Sequence, residues 1–137
     1  MTASELLSMP AGEYMNPDQL AFFADRLSVL YKETLAAQEA SRTALAGLGV
    51  ASDELDMALI EGERQEIARS LTRLEVRLKD IRYAQNLIKE GEYGWCESTG
   101  EEIGIARLLA LPTARFTAAS QANNEASSQH YSTPRYQ

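Results

Sequence analysis

The sequence predicts a mainly all-α protein: a long antiparallel helical hairpin of coiled-coil type, followed by a small globular head and a C-terminal helix or tail. Three observations carry that expectation. From Asp53 to Ile88 the chain runs for about ten helical turns without a Gly-Pro break. Along it Met57, Ile60, Arg64, Ile67, Leu71, Leu74, Leu78, Ile81, Gln85 and Ile88 recur in alternating steps of three and four, a heptad seam with Arg64 and Gln85 as polar members. A second seam of the same spacing lies upstream at Leu20, Phe23, Leu27, Leu30, Thr34, Ala37, Ser41, Ala44 and Leu48, and Gly47-Leu48-Gly49 joins the two. One seam cannot bury itself, so the pair is expected to pack together.

Taken in order, residues 1–15 read as a short, loosely held arm with Leu6, Leu7 and Met9 ahead of Pro10 and Gly12. Helix one opens at Asn16-Pro17-Asp18-Gln19: Asn16 as N-cap, Pro17 at the first helical position, an acid in the first turn and Gln19 completing a capping box. The hairpin spans residues 16–90, with its tip near 47–58. Gly47 supplies a C-cap, Ser52 caps helix two, and Asp53 and Glu54 oppose its N-terminal dipole. Helices of roughly 31 and 37 residues would each be about 45–55 Å long. The small residues Ala37, Ser41 and Ala44 bury little area, so the tip is expected to be weakly held and somewhat mobile.

Gly91 ends helix two. Residues 91–121 concentrate Tyr93, Trp95, Ile103, Ile105, Leu108, Leu109 and Phe116 among glycines and Pro112, which reads as the head, with a short helix near Gly104 to Ala110. Residues 122–137 are rich in Asn, Ser, Gln and Ala and are expected to be a partly disordered tail.

Charge narrows the function. A net charge of −7 over 137 residues argues against direct DNA binding, which depends on Lys and Arg neutralising phosphates. A protein partner is expected instead. No apolar run is long enough for a membrane span and the N-terminus has no leader pattern, so a cytoplasmic location is expected. The single cysteine, Cys96, excludes an internal disulfide and fits a reducing compartment. With His130 alone in the polar tail, no Cys-His pair is expected, and the chain reads as no enzyme.

Charge is also segregated along helix two. Asp53 to Glu66 holds six acids against Arg64, whereas Arg69 to Arg82 holds five bases against Glu75 and Asp80. Acids at a helix start are common for capping alone, but a solvated rod needs no such gradient. An acidic tip entering a basic or metal-containing cavity, with the basic middle on an acidic rim, accounts for both.

Three segments carry a family resemblance: Glu92-Tyr93-Gly94-Trp95-Cys96-Glu97-Ser98, the run from Glu102 to Leu108, and Leu111-Pro112-Thr113-Ala114. They resemble the zinc-finger region of the DksA/TraR family of RNA polymerase accessory proteins. Gly12 to Asn16 resembles the lead-in to that family's coiled coil, and Asp53-x-x-Asp56-x-Ala58 resembles its tip motif. The resemblance covers residues 12 to about 121. The family's four metal cysteines would fall at Cys96, Thr99, Thr117 and Ser120, a degenerate set in which three hydroxyls replace thiolates that zinc requires. The chain therefore resembles the cysteine-poor, zinc-independent DksA paralogue, with no metal and a head held by packing around Trp95 and Phe116.

The resemblance implies a monomeric transcription regulator of the stringent response. It would insert its hairpin into the polymerase secondary channel, place Asp53, Asp56 and Ala58 near the active site and change promoter open-complex stability. It implies no resident cofactor, with guanosine tetraphosphate as a ligand at the polymerase interface. Arg107 is the one cation left among the nucleotide positions, the others being Asp80, Leu111 and Gln121. Two other readings stand beside it: a Gre-like transcript-cleavage factor whose tip acids hold a metal, and a structural coiled-coil adaptor that self-associates through exposed heptad faces.

Overall fold

The computed structural model describes the backbone of residues 1–50 and 53–132. Among the described residues five α-helices follow in order: α1 (Ala3–Leu7), α2 (Pro17–Ala46), α3 (Glu54–Glu90), α4 (Ile105–Ala110) and α5 (Ala118–Ser132), with a 3-10 turn at Ala11–Glu13. The fold is a mainly helical one with a long helical hairpin, α2 and α3, and a zinc-finger-like region after it. Its residues fall into two compact units, 27–83 and 1–26 with 84–137.

In the first unit the hairpin arms run side by side and antiparallel: Arg82 hydrogen-bonds the hydroxyl of Tyr31, 51 residues away, and lies over its ring at 4.9 Å. Leu27 and Ile81 are fully buried, and Ile60, Ile67, Leu71, Leu74 and Leu78 are half-buried as the α3 seam requires. Met57 and Arg64, assigned to that seam from spacing, are exposed.

The α2 seam needs a larger correction. Thr34 is buried, but Ala37 and Ala44 are exposed, and the half-buried positions beyond Thr34 are Gln38, Ser41, Leu45 and Leu48. The seam steps by four twice in succession, from Leu30 to Thr34 to Gln38. A straight α-helix drifts about 20° per heptad from a strict 3.5-residue repeat, and an added step of four restores the inward face. The Thr34 hydroxyl donates to the Leu30 carbonyl at 2.7 Å, so this seam position satisfies itself within the helix.

In the second unit the start of α2 is built as expected in part. Asn16 Oδ1 accepts the Gln19 N–H at 2.8 Å, but the Gln19 side chain reaches the N–H of Met15 at 2.6 Å, one residue before the capping-box position. The end of α3 is a Schellman motif: Gly91, at φ +76°, donates to Ile88, and Glu92 donates to Leu87 at 2.9 Å.

The N-terminal arm is not loose. Thr2 and Glu5 form a reciprocal capping box on α1, Leu6 is fully buried, and α1 packs on α4. Of the C-terminal helix or partly disordered tail expected from residue 122 onward, the part up to Ser132 is helical and belongs to α5, while 133–137 lie outside the described residues. The start of α5 is fixed by a cap, with the Thr117 hydroxyl accepting the Ser120 N–H at 3.1 Å.

The head's core also differs from expectation. Trp95 is 39% exposed and Phe116 half-buried, whereas Tyr93, Leu108, Ile103, Cys96 and Ala114 are buried together with Leu6 and Phe23. Tyr93 stacks obliquely on Phe23 at 5.5 Å, and its buried hydroxyl donates to the Pro112 carbonyl at 2.7 Å. Burial, and secondarily the nearby Tyr14, raises the Tyr93 pKa and keeps the phenol neutral. A hydroxyl buried with its partner stabilises the core, whereas an indole with no buried partner is better left at the surface.

Candidate functional site

Two places carry the residues singled out from sequence: the hairpin tip and the degenerate metal positions. At the tip, Asp53 is the N-cap of α3. Its Oδ1 accepts the Asp56 N–H at 2.8 Å, and its carbonyl accepts the Met57 N–H at 2.9 Å. Ser52, expected as that cap, lies outside the described residues. Asp53, Glu54, Asp56 and Ala58 are all exposed, and none of these acids forms an ion pair among the described residues. Farther along α3 the acids are engaged: Glu61 with Arg64, Glu66 with Arg69 and Arg73, and Glu75 with Lys79. Hydrogen bonding and the charge of Arg69 hold the Glu66 carboxyl below its usual range.

The tip is apolar as well as acidic, which the charge pattern alone did not suggest. Val50, Leu55, Met57 and Leu59 are all exposed beside the acids. Four large apolar side chains in the ten residues from Val50 to Leu59 were the available signal. Such a surface can present charge and apolar area to a partner.

The four metal positions come together. The Cys96 thiol is buried, with hydrogen bonds to the side chains of Ser120 and Thr99 and to the backbone N–H groups of Thr117 and Thr99. Burial opposes ionisation, but the hydroxyls and N–H groups, supplied by Thr99 in the following loop and by Thr117 and Ser120 at the start of α5, outweigh it and lower the thiol from 9.0 to about 6. The loop around it is tight: Gly100, at φ +76°, donates to the Cys96 carbonyl, and Cys96 donates to Glu101, both at 2.8 Å. Glu97 and Arg115 brace the two halves, through an ion pair and through the Glu97 N–H on the Arg115 carbonyl at 2.9 Å. Sequence reasoning missed this brace, whose members are 18 residues apart.

A zinc ion does not fit this donor set. One thiol is the only soft ligand, and the described residues contain no group of three or more His, Cys, Asp or Glu able to hold a metal. The three hydroxyls are instead engaged: that of Thr117 accepts the Ser120 N–H, that of Thr99 accepts the Glu101 N–H at 3.2 Å, and those of Ser120 and Thr99 hydrogen-bond Cys96.

Arg107 is half-buried, and its Nε donates to the Phe116 carbonyl at 2.9 Å, so it braces α4 on the segment before α5. Leu111 follows α4 and is exposed, and Gln121 on α5 donates to Glu125 at 3.0 Å. Asp80 lies on α3 in the other unit. A further element, absent from the sequence reading, ties the head together. The Tyr14 hydroxyl donates to the Gly94 carbonyl at 2.6 Å and accepts the Gly104 N–H at 3.0 Å, and its ring meets Trp95 edge-on at 5.2 Å. Burial is the main cause that raises the Tyr14 pKa.

The family profile described as "Prokaryotic dksA/traR C4-type zinc finger" matches residues 91–122. The RNA polymerase-binding transcription factor DksA of Caulobacter vibrioides (strain NA1000 / CB15N) is 34% identical over 116 residues, covering 82% of this chain and 80% of that one. The chain belongs to the DksA/TraR family. Among its other DksA/TraR relatives, DksA of Escherichia coli (strain K12) is 36% identical over 108 residues, covering 77% of this chain and 70% of its own. The solved structure of transcription factor DksA2 from Pseudomonas aeruginosa superposes with a TM-score of 0.84 at 37% identity, covering 94% of this DksA/TraR chain and all of that one.

Proposed function

We propose that this chain regulates transcription by binding RNA polymerase directly as a monomer in the cytoplasm, without contacting DNA and without zinc. Its hairpin enters the secondary channel, and Asp56, with Asp53 and Ala58, acts near the polymerase active site to change the lifetime of promoter open complexes. The observation that carries this reading is the exposed Asp56 at the start of α3, without an ion-pair partner among the described residues, in a chain whose relatives are named for binding RNA polymerase. The net charge of −7 favours a protein partner over a nucleic acid. The chain supplies charge and contact surface, not catalysis.

Guanosine tetraphosphate acts with it at the polymerase interface, as in a stringent response. Arg107 contributes to that ligand through its terminal nitrogens while its Nε stays on the Phe116 carbonyl. The Cys96 hydrogen bonds, the Glu97–Arg115 brace and the Tyr93 core, which hold the head, support zinc independence.

The test is capture of purified polymerase by wild-type chain and by Asp56→Asn, followed by measurement of promoter-complex lifetime. Both proteins should bind, and only the wild type should change the lifetime, with a larger change when guanosine tetraphosphate is added. No capture by the wild type overturns the reading, and capture with equal effects from both proteins removes the tip from it.

A further inference from the structure

The back of α3, opposite the buried seam, carries its own alternation of steps of three and four at positions 59, 62, 66, 69, 73 and 76. All six positions are exposed. Leu59 is 60% and Val76 54% exposed, large apolar side chains that no other element of the described residues covers. Between them the charge order runs from acid to base, with Glu66 and Arg69 both more than half exposed and paired to each other at 2.7 Å.

We propose that this stripe is a self-association surface on which a second copy of the chain docks antiparallel. The argument is its self-complementarity. A twofold axis between residues 67 and 68 sets Leu59 beside Val76 of the second copy and Glu66 beside Arg69 of the second copy, and symmetry repeats both contacts. At the axis the two intrahelical Glu66–Arg69 pairs merge into a four-charge cluster of alternating sign. A parallel arrangement in register would set Glu66 on Glu66 and Arg69 on Arg69, so charge selects the antiparallel one.

Size determines the strength. The stripe from Leu59 to Val76 is about 27 Å of helix and roughly 10 Å wide, well below the roughly 800 Å² per partner of a standard interface. The dimer is therefore weak and reversible, forming at concentrations on the order of tens of micromolar or above, and weaker in high salt. The inference rests on the exposure and charge order of α3 and is independent of the polymerase reading.

Sedimentation velocity of the full chain over a concentration series tests it, with circular dichroism to confirm that each variant keeps its helices. The wild type should pass from monomer to dimer, and Glu66→Lys and Arg69→Glu should each weaken the dimer at least tenfold. Mixing the two variants should restore a heterodimer, because each then meets an opposite charge across the axis. The double variant E66K/R69E should also dimerise. A wild type that stays monomeric at several hundred micromolar overturns the proposal. So does a dimer indifferent to both single changes, or a mixture that fails to restore association.

Discussion

Asp53 holds the end of the helix on which Asp56 is displayed: Asp53 Oδ1 accepts the Asp56 N–H at 2.8 Å. The two tip acids therefore differ in kind. Asp53 satisfies a backbone donor, whereas the Asp56 carboxylate has no ion-pair partner among the described residues and is free to act on something else.

That difference is measurable. Asp53→Ala should cost about 0.5–2 kcal/mol of helix stability through loss of the cap, seen as faster amide exchange in the first turns of α3. Asp53→Asn should restore protection, because asparagine caps as well. Asp56→Asn should change stability by only about 0.3–1 kcal/mol yet abolish the effect on promoter-complex lifetime. If Asp53→Asn also abolishes it, the Asp53 charge acts on polymerase in addition to its capping.

The head's pH response depends on Cys96. Its thiol is lowered from 9.0 to about 6 in the folded chain, so the folded state favours the thiolate. The resulting stability is fully present above pH 9 and is lost as the pH falls through about 6. Denaturant unfolding of wild type and Cys96→Ser between pH 5 and pH 9 should give a stability difference that grows with pH. A difference that stays constant over that range would show that the thiol does not ionise in the folded head.

Much of this fold was legible because heptad spacing and helix caps are local signals. The Asn16–Gln19 cap, the extent of α3 and the Gly91 stop are all decided by residues within one turn of each other. The α2 seam beyond Thr34 was misread because a strict 3.5-residue repeat carried over that length ignores the drift of a real helix. The arm was misread, and the C-terminal segment left between helix and tail, for a different reason. Leu6 is ordered by burial and α5 by the Thr117 cap, and composition shows neither. At the tip, the placement of Asp53 and Asp56 at the start of a helix was legible from local sequence, whereas the Glu97–Arg115 brace and the Tyr14 bridge join residues 18 and 80–90 positions apart, with no periodicity to announce them.

The Tyr14 bridge should be the head's most sensitive polar contact. Tyr14→Phe keeps the edge-on contact with Trp95 but removes the donor to Gly94 and the acceptor for the Gly104 N–H. Leaving those part-buried groups unsatisfied should cost about 1–3 kcal/mol, read from urea unfolding. Gly94→Ala should be comparably damaging. Gly94 sits at φ +95°, and an added Cβ would lie 2.9 Å from the Met15 side chain and 3.1 Å from the Tyr14 hydroxyl.

Zinc binding should be recoverable, since the four positions already converge around Cys96 through its bonds to Thr99, Thr117 and Ser120. The triple variant Thr99→Cys, Thr117→Cys, Ser120→Cys supplies four thiols where the wild type has one, and should bind close to one zinc per chain by metal analysis, against none for the wild type. Without metal it should be less stable than wild type by about 1 kcal/mol or more, because Thr117 no longer caps α5. With zinc it should exceed wild type, since metal held only by the folded state adds its binding free energy to folding. A chelator should then lower the midpoint of the variant and leave that of the wild type unchanged. A triple variant that folds but takes up no zinc would mean that the wild-type hydroxyl cluster around Cys96 has relaxed away from tetrahedral geometry.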